Sequence, residues 1–395
     1  MRERLPARRA AIIVLDGVGA GAAPDAAAYG DVGSDTLANT ARAVGGFDLP
    51  ALEALGLGRI SAIDGVSALR PVDGAWGIMQ PRSAGKDSTT GHWEIAGLHL
   101  PQPFPTYPNG FPTDVIDAFA RATGRPVIGN VVASGTAVID DFGAEHMRTG
   151  AWIVYTSADS VFQVAAHEQV VPLAELYAAC DAARMLLVEP HNVSRVIARP
   201  FEGEPGRFNR VSAHRRDVSI EPPGETLLDA LAQAGVPRSG VGKVDDLFAR
   251  RGITSTHTPT NGEGISKVLE WMRSPASGLL FVNLVDFDQL FGHRNDAVGF
   301  YGALREFDRA LPTILSTLRE DDLLFITADH GNDPTTPSTD HARECVPLFV
   351  AGPRVHAVDL GTRSTFSDLG ATVADWFRIG FRGRGQSFLS EIVAQ

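Results

Sequence analysis

The apolar residues of this chain come in continuous runs rather than in alternation, and three of those runs end in acid. Residues 10–15, AAIIVL, lead into Asp16-Gly17; residues 279–285, LLFVNLV, lead into Asp286-Phe287-Asp288; residues 323–327, LLFIT, lead into Ala328-Asp329-His330. Short apolar runs without alternation predict strands buried on both faces, which means a mostly parallel sheet between helices. One such helix is predicted where Phe300, Leu304, Phe307, Leu311, Ile314 or Leu315, and Leu318 step by three and four, with Pro312 placed to kink it. Ligands of open α/β sheets gather beyond the carboxyl ends of the strands, so acids at three such ends predict a shared site.

The pattern changes in the middle of the chain. Pro-rich stretches, LPQPFPTYPNGFP at 100–112 and EPPGET at 221–226, flank a region of shorter strand-like pieces, AWIVYTSADSVFQVA and RVIARPF. Such flanks are expected where a chain leaves and re-enters a core. The predicted organisation is a core formed by 1–99 and 222–395, interrupted by a smaller α+β cap at 100–221. The cap carries Arg195, Arg199, Arg207, Arg210, Arg215 and Arg216, a cluster that suits either a solvated face or an anion. There is no internal repeat and no low-complexity segment.

Composition narrows the function. A length of 395 residues exceeds what a single hydrophobic core usually serves. The net charge of −12 argues against a nucleic-acid partner, which would need a clustered basic surface. Two cysteines, Cys180 and Cys345, are too few for a disulfide framework or a thiolate zinc site, and they fit a reducing cytoplasm. The basic start has an apolar run too short for a signal sequence, and no later run has the length of a membrane span.

The candidate chemistry lies at the strand ends. Asp288 and His293 sit in VDFDQLFGHRND, Asp329, His330 and His341 in TADHGNDPTTPSTDH, and Asp16 follows the first strand. Imidazole together with carboxylate suits zinc, manganese or iron better than calcium. Six ligands suggest two ions roughly 3.5–4 Å apart, which clamp the attacking and leaving oxygens of a displacement. Two divalent ions against three carboxylates leave about one net positive charge, attractive to phosphate. A side-chain nucleophile is offered by GKDSTTGHWEIAG, where Ser88, Thr89 and Thr90 precede a predicted helix whose amides favour anions. Locally the same residues read as an N-cap, and nothing there selects one hydroxyl.

VLDGVGAGAAPDA, GKDSTTGHWEIAG, VIARPFEGEPGRFNR, PPGETLLDALAQAGVPRSGVGKVDDLFARRGIT, NLVDFDQLFGHRND and TADHGNDPTTPSTDHARECVPL resemble, in order and placement, the signature segments of the phosphopentomutases. That family belongs to the alkaline phosphatase superfamily and is related to cofactor-independent phosphoglycerate mutase. The resemblance implies an alkaline-phosphatase-like core and interconversion of ribose 1-phosphate with ribose 5-phosphate, and of the deoxyribose forms. It also implies two Mn2+ and a bisphosphate sugar activator, ribose 1,5-bisphosphate or glucose 1,6-bisphosphate. Small pentose phosphates are then the only partners expected, with no protein, membrane or nucleic acid. By the same resemblance Asp288, His293 and His341 hold one ion, while Asp16, Asp329 and His330 hold the other. The phosphorylated residue maps to Ser88, where the family has Thr. Ser157 and Asp159 map to sugar contacts, and Arg195, Arg210 and Lys243 to holders of the distal phosphate. Two other classes remain: a phosphatase, phosphodiesterase or sulfatase of the same superfamily using the same ligands, and a metal-stabilised binding domain without catalysis.

Overall fold

The computed structural model describes residues 8–157, 160–381 and 383–393. These form two compact units, residues 8–103 with 222–393 and residues 104–221.

The first unit is built on an eight-stranded sheet in the order Ser255–Thr256, Arg238–Val241, Gly278–Leu284, Arg9–Leu15, Asp322–Thr327, Val346–Ala351, Ala75–Met79, Val358–Arg363. The first five run parallel, Val346–Ala351 is antiparallel to both of its neighbours, and the last two are parallel to each other. Every residue of the Arg9–Leu15, Gly278–Leu284 and Asp322–Thr327 strands is buried, which is what their unbroken apolar runs require. Each strand starts one residue earlier than its apolar run. Arg9 and Asp322 can begin buried strands because the guanidinium and the carboxylate pair with each other, Nε to Oδ1 at 2.8 Å.

The predicted helix is Ala297–Ser316, with Pro312 inside it. It begins three residues before the apolar periodicity because the Asp296 side chain accepts from the Gly299 amide at 2.8 Å.

The second unit holds a six-stranded mixed sheet. Val127–Val132, Trp152–Thr156, Val161–His167, Arg195–Glu204 and Arg207–Arg210 lie in that order, and Arg216–Ser219 also pairs with Arg195–Glu204. One face packs Trp152, Val154, Phe162, Val164, Val196 and Ala198 in a core with Phe119 and Leu176 from its helices. The opposite face buries Ile153, Tyr155 and Phe201 with Val138 and Ile139. No helix among the described residues is long and apolar enough to cross a membrane.

Candidate metal centre

Parallel register gathers the chemistry. Leu15 lies opposite Leu284, Val14 opposite Thr327, and Val241 opposite Val282, so the chain leaves four neighbouring strands at one edge. Asp16, Lys243, Asp288 and Asp329 follow directly from those ends. The three carboxylates among them are almost fully buried.

Two overlapping groups result. Asp16, Asp329 and His330 can each offer an atom within 4.8 Å of the others, and so can Asp288, His330 and His341. His330 Nε2 is 3.3 Å from Asp16 Oδ1 and 3.6 Å from Asp329 Oδ2. Asp288 is 3.2 Å from His341 Nε2 and 3.3 Å from His293 Nε2. The resemblance assigns His330 to one ligand set alone, whereas its ring lies 4.0 Å from that of His341 and reaches both. His293 joins through Asp288, with its ring 4.8 Å from His341.

The electrostatics suit a cation. Burial works against the charge of Asp16, yet the Lys243 ammonium at 2.9 Å and His330 hold its carboxyl below the usual carboxylate range. Asp288 is held low in the same way, with His341 and His293 overcoming burial. Burial pushes His330 down, but Asp329, Asp16 and Asp288 carry it up to about 10. Among the described residues, buried Asp329 Oδ2 and His341 Nε2, one in each group, make no aligned hydrogen bond, although His92 Nδ1 stands 3.1 Å from the first and Asp288 Oδ1 3.2 Å from the second. Orphaned donors of this kind, with carboxylate and imidazole together, fit divalent ions.

The hydroxyl choice left open by the local sequence is narrowed by the Ser88–Ile95 helix. Asp87 caps it, accepting from the Thr90 amide at 3.1 Å and the Thr90 hydroxyl at 2.6 Å, which engages Thr90. Ser88 Oγ instead lies 3.2 Å from His330 Nε2, 3.4 Å from Asp16 Oδ1 and 3.5 Å from Lys243 Nζ. The helix comes this close only because residue 91 is glycine: a Cβ there would sit 2.1 Å from the Asp329 carbonyl oxygen and 2.8 Å from the Asp329 Cβ. Gly91→Ala must push helix and loop apart. Since a displacement near 1 Å can cost about 10²-fold in rate, kcat should fall by roughly that factor. Steady-state assays with a folded variant, verified by circular dichroism, would reveal a smaller effect if the loop simply yields.

Residues 227–380 match the model of the metalloenzyme superfamily. A phosphopentomutase of Carboxydothermus hydrogenoformans is 57% identical over 387 residues, spanning 98% of this chain and 99% of its own. One of Dictyoglomus thermophilum is 56% identical, with 98% of each chain covered. The chain belongs to the phosphopentomutase family. Among solved structures, the phosphoglycerate mutase of Leishmania mexicana aligns over 98% of both chains with a TM-score of 0.51 at 12% identity, which establishes a shared fold.

In this phosphopentomutase-family chain, the sequence-derived residues of the first unit, Asp16, Ser88, Lys243, Asp288, His293, Asp329, His330 and His341, come together. Lys243, read as a distal-phosphate holder, is found beside Ser88 and Asp16. Ser157, Arg195 and Arg210 belong to the second unit; there Arg195 and Arg215 share Asp217, at 3.4 and 2.7 Å. Arg199 donates to Gln163 Oε1 at 3.0 Å. Asp159 lies outside the described residues. Sequence reasoning missed the supports of the ligands. Asn332 Nδ2 donates to Asp288 Oδ1 at 2.7 Å, and the Gly17 amide to Asp329 Oδ1 at 3.1 Å. The signal was present in DHGND, where Asn332 follows His330 by two.

Proposed function

We propose that this chain interconverts ribose 1-phosphate and ribose 5-phosphate, and the deoxyribose forms, through a phosphorylated Ser88 and a 1,5-bisphosphate. Its high identity to phosphopentomutases over nearly the whole chain makes pentose phosphate mutation its activity. The observation that carries the mechanism is the convergence of His330, Asp16 and Lys243 on one serine hydroxyl.

In the forward half, phospho-Ser88 gives its phosphoryl group to O1 of ribose 5-phosphate. The Oγ–P bond breaks, the O1–P bond forms, and the proton of O1 ends on Ser88. After the bisphosphate turns round, the 5-phosphate passes to Ser88 and ribose 1-phosphate leaves. Asp16, Asp329 and His330 would hold one divalent ion, and Asp288, His293 and His341 the other, with His330 in reach of both. Such ions, which we take to be Mn2+, supply charge stabilisation at the transferring group. Lys243 Nζ, within 3.5 Å of Ser88 Oγ, adds a fixed positive charge at the same place. A bisphosphate sugar, ribose 1,5-bisphosphate or glucose 1,6-bisphosphate, would prime the unphosphorylated serine.

Residues 100–221 are proposed to act as a cap that retains the bisphosphate and excludes water. Within it Ser157, Asp159, Arg195 and Arg210 are proposed to contact the sugar and the distal phosphate. The two cysteines are free and buried, which suits a cytoplasmic setting.

The assay that separates mutase from hydrolase is direct. Given ribose 5-phosphate, Mn2+ and a trace of bisphosphate sugar, the protein should form ribose 1-phosphate with little free phosphate. Release of mainly inorganic phosphate, unaltered by added bisphosphate, would replace this reading by a superfamily phosphatase.

A further inference from the structure

Asn283 is a polar residue next to the carboxyl end of an otherwise apolar strand, Gly278–Leu284, and it is 1% exposed. A buried amide destabilises the fold where its polar atoms are left unpaired; Oδ1 makes no hydrogen bond among the described residues, so the pairing falls to Nδ2. Its Nδ2 donates to Asp16 Oδ2 at 3.1 Å and lies 3.4 Å from His92 Nε2. His92 is itself fully buried, stacked on Phe281, four residues along the helix from Ser88. Its other nitrogen, Nδ1, is hydrogen-bonded to the Ser88 carbonyl at 2.8 Å and stands 3.1 Å from Asp329 Oδ2, near enough for electrostatic attraction although not aligned as a hydrogen bond. Because a carbonyl can only accept, Nδ1 carries the proton and Nε2 presents its lone pair to Asn283. The tautomer is therefore set by the protein.

We propose that Asn283 and His92 are positioning residues that tie Asp16, Asp329 and the backbone of Ser88 into one rigid unit. The connection runs Asp16, Asn283, His92, Asp329, with a branch from His92 to the residue bearing the nucleophile. It fixes two carboxylates of the same group and the hydroxyl they surround, so any shift of the helix is felt by Asp329. The supports of metal-ligating carboxylates and imidazoles typically change affinity 10–100-fold when removed. Asn283 and His92 stand toward Asp16 and Asp329 as Asn332 stands toward Asp288.

The inference rests on the two-ion reading of the centre. The test is Mn2+ titration, followed by electron paramagnetic resonance, of the full chain after removal of metal by chelator. The wild type should bind two ions. In His92→Phe, which keeps the ring volume and loses both nitrogens, one ion should bind 10–100-fold more weakly and the other as in the wild type. Asn283→Ala should weaken that same ion. His92→Asn, which restores a donor near the place of Nδ1, should recover most of the affinity. Turnover should fall in kcat with little change in KM for ribose 5-phosphate. A residue that only filled the core would lower thermal stability and leave the difference between the ions unchanged. Wild-type affinity for both ions in His92→Phe, or equal weakening of both in His92→Phe and Asn283→Ala, overturns the proposal while leaving the two-ion reading intact. Fewer than two ions bound by the wild type overturns the reading itself, and the proposal with it.

Discussion

Ser88→Ala is expected to bring both the phosphoenzyme and mutase turnover to background. The Ser88 hydroxyl is the one that faces His330, Asp16 and Lys243, while Thr90 is engaged in capping its own helix with Asp87. With the Thr90 hydroxyl engaged by Asp87, the loss should be on the order of 10⁶ in kcat, the scale seen when a covalent nucleophile is deleted. Ser88→Thr should keep substantial activity, since it presents the same Oγ from the same backbone position and matches the residue usual in the family. The natural serine lacks the methyl that restricts χ1, and it should lose its phosphate to water faster than the Thr variant does. Mass spectrometry of the peptide covering 85–92, before and after incubation with a bisphosphate sugar, reads the outcome. Phosphate on Thr89 or Thr90, with Ser88→Ala still active, would sink the assignment.

Substituting the strand-end ligands should cost nearly as much and should separate the two ions. Asp288→Ala and His341→Ala should each leave about one ion per chain, and Asp329→Ala should leave the other. His330→Ala is expected to weaken both, because its Nε2 lies within reach of both groups. Each change leaves buried carboxylates that were balanced by cations, so activity should fall by at least about 10³-fold. Metal analysis by plasma mass spectrometry together with the mutase assay decides it. Two of these variants retaining both metal content and activity would mean the ions lie elsewhere.

Much of the core was legible because it depends on local pattern. The three acid-tipped apolar runs became adjacent parallel strands, and the Phe300 periodicity became a helix. The other side of the sheet was not read. Ala75–Met79 alternates buried and half-buried residues, and Val358–Arg363 is mostly outside the core, so neither has the continuous apolar signature. The antiparallel Val346–Ala351 does have that signature, but nothing in a single strand says which way it runs.

For the site the same division holds. The residue types at the ends of apolar runs sufficed to name Asp16, Asp288, Asp329, His330 and His341, because a parallel sheet places all its carboxyl ends at one edge whatever lies between them in sequence. The sequence by itself thus determined which metal-ligand residue types gather at the centre and the type of sheet that assembles them. Only the tertiary structure decided that His330 stands between the two groups, that Lys243 lies beside Ser88 and Asp16, and that Ser88 rather than Thr90 faces the carboxylates. It also decided that Asn283, Asn332 and His92 hold them in place. Those assignments depend on distances of about 3 Å between residues separated by up to 314 positions, as Asp16 and His330 are. Hydrogen bonds of that reach are set by strand register and by the approach that Gly91 permits, and neither leaves a periodic trace along the chain.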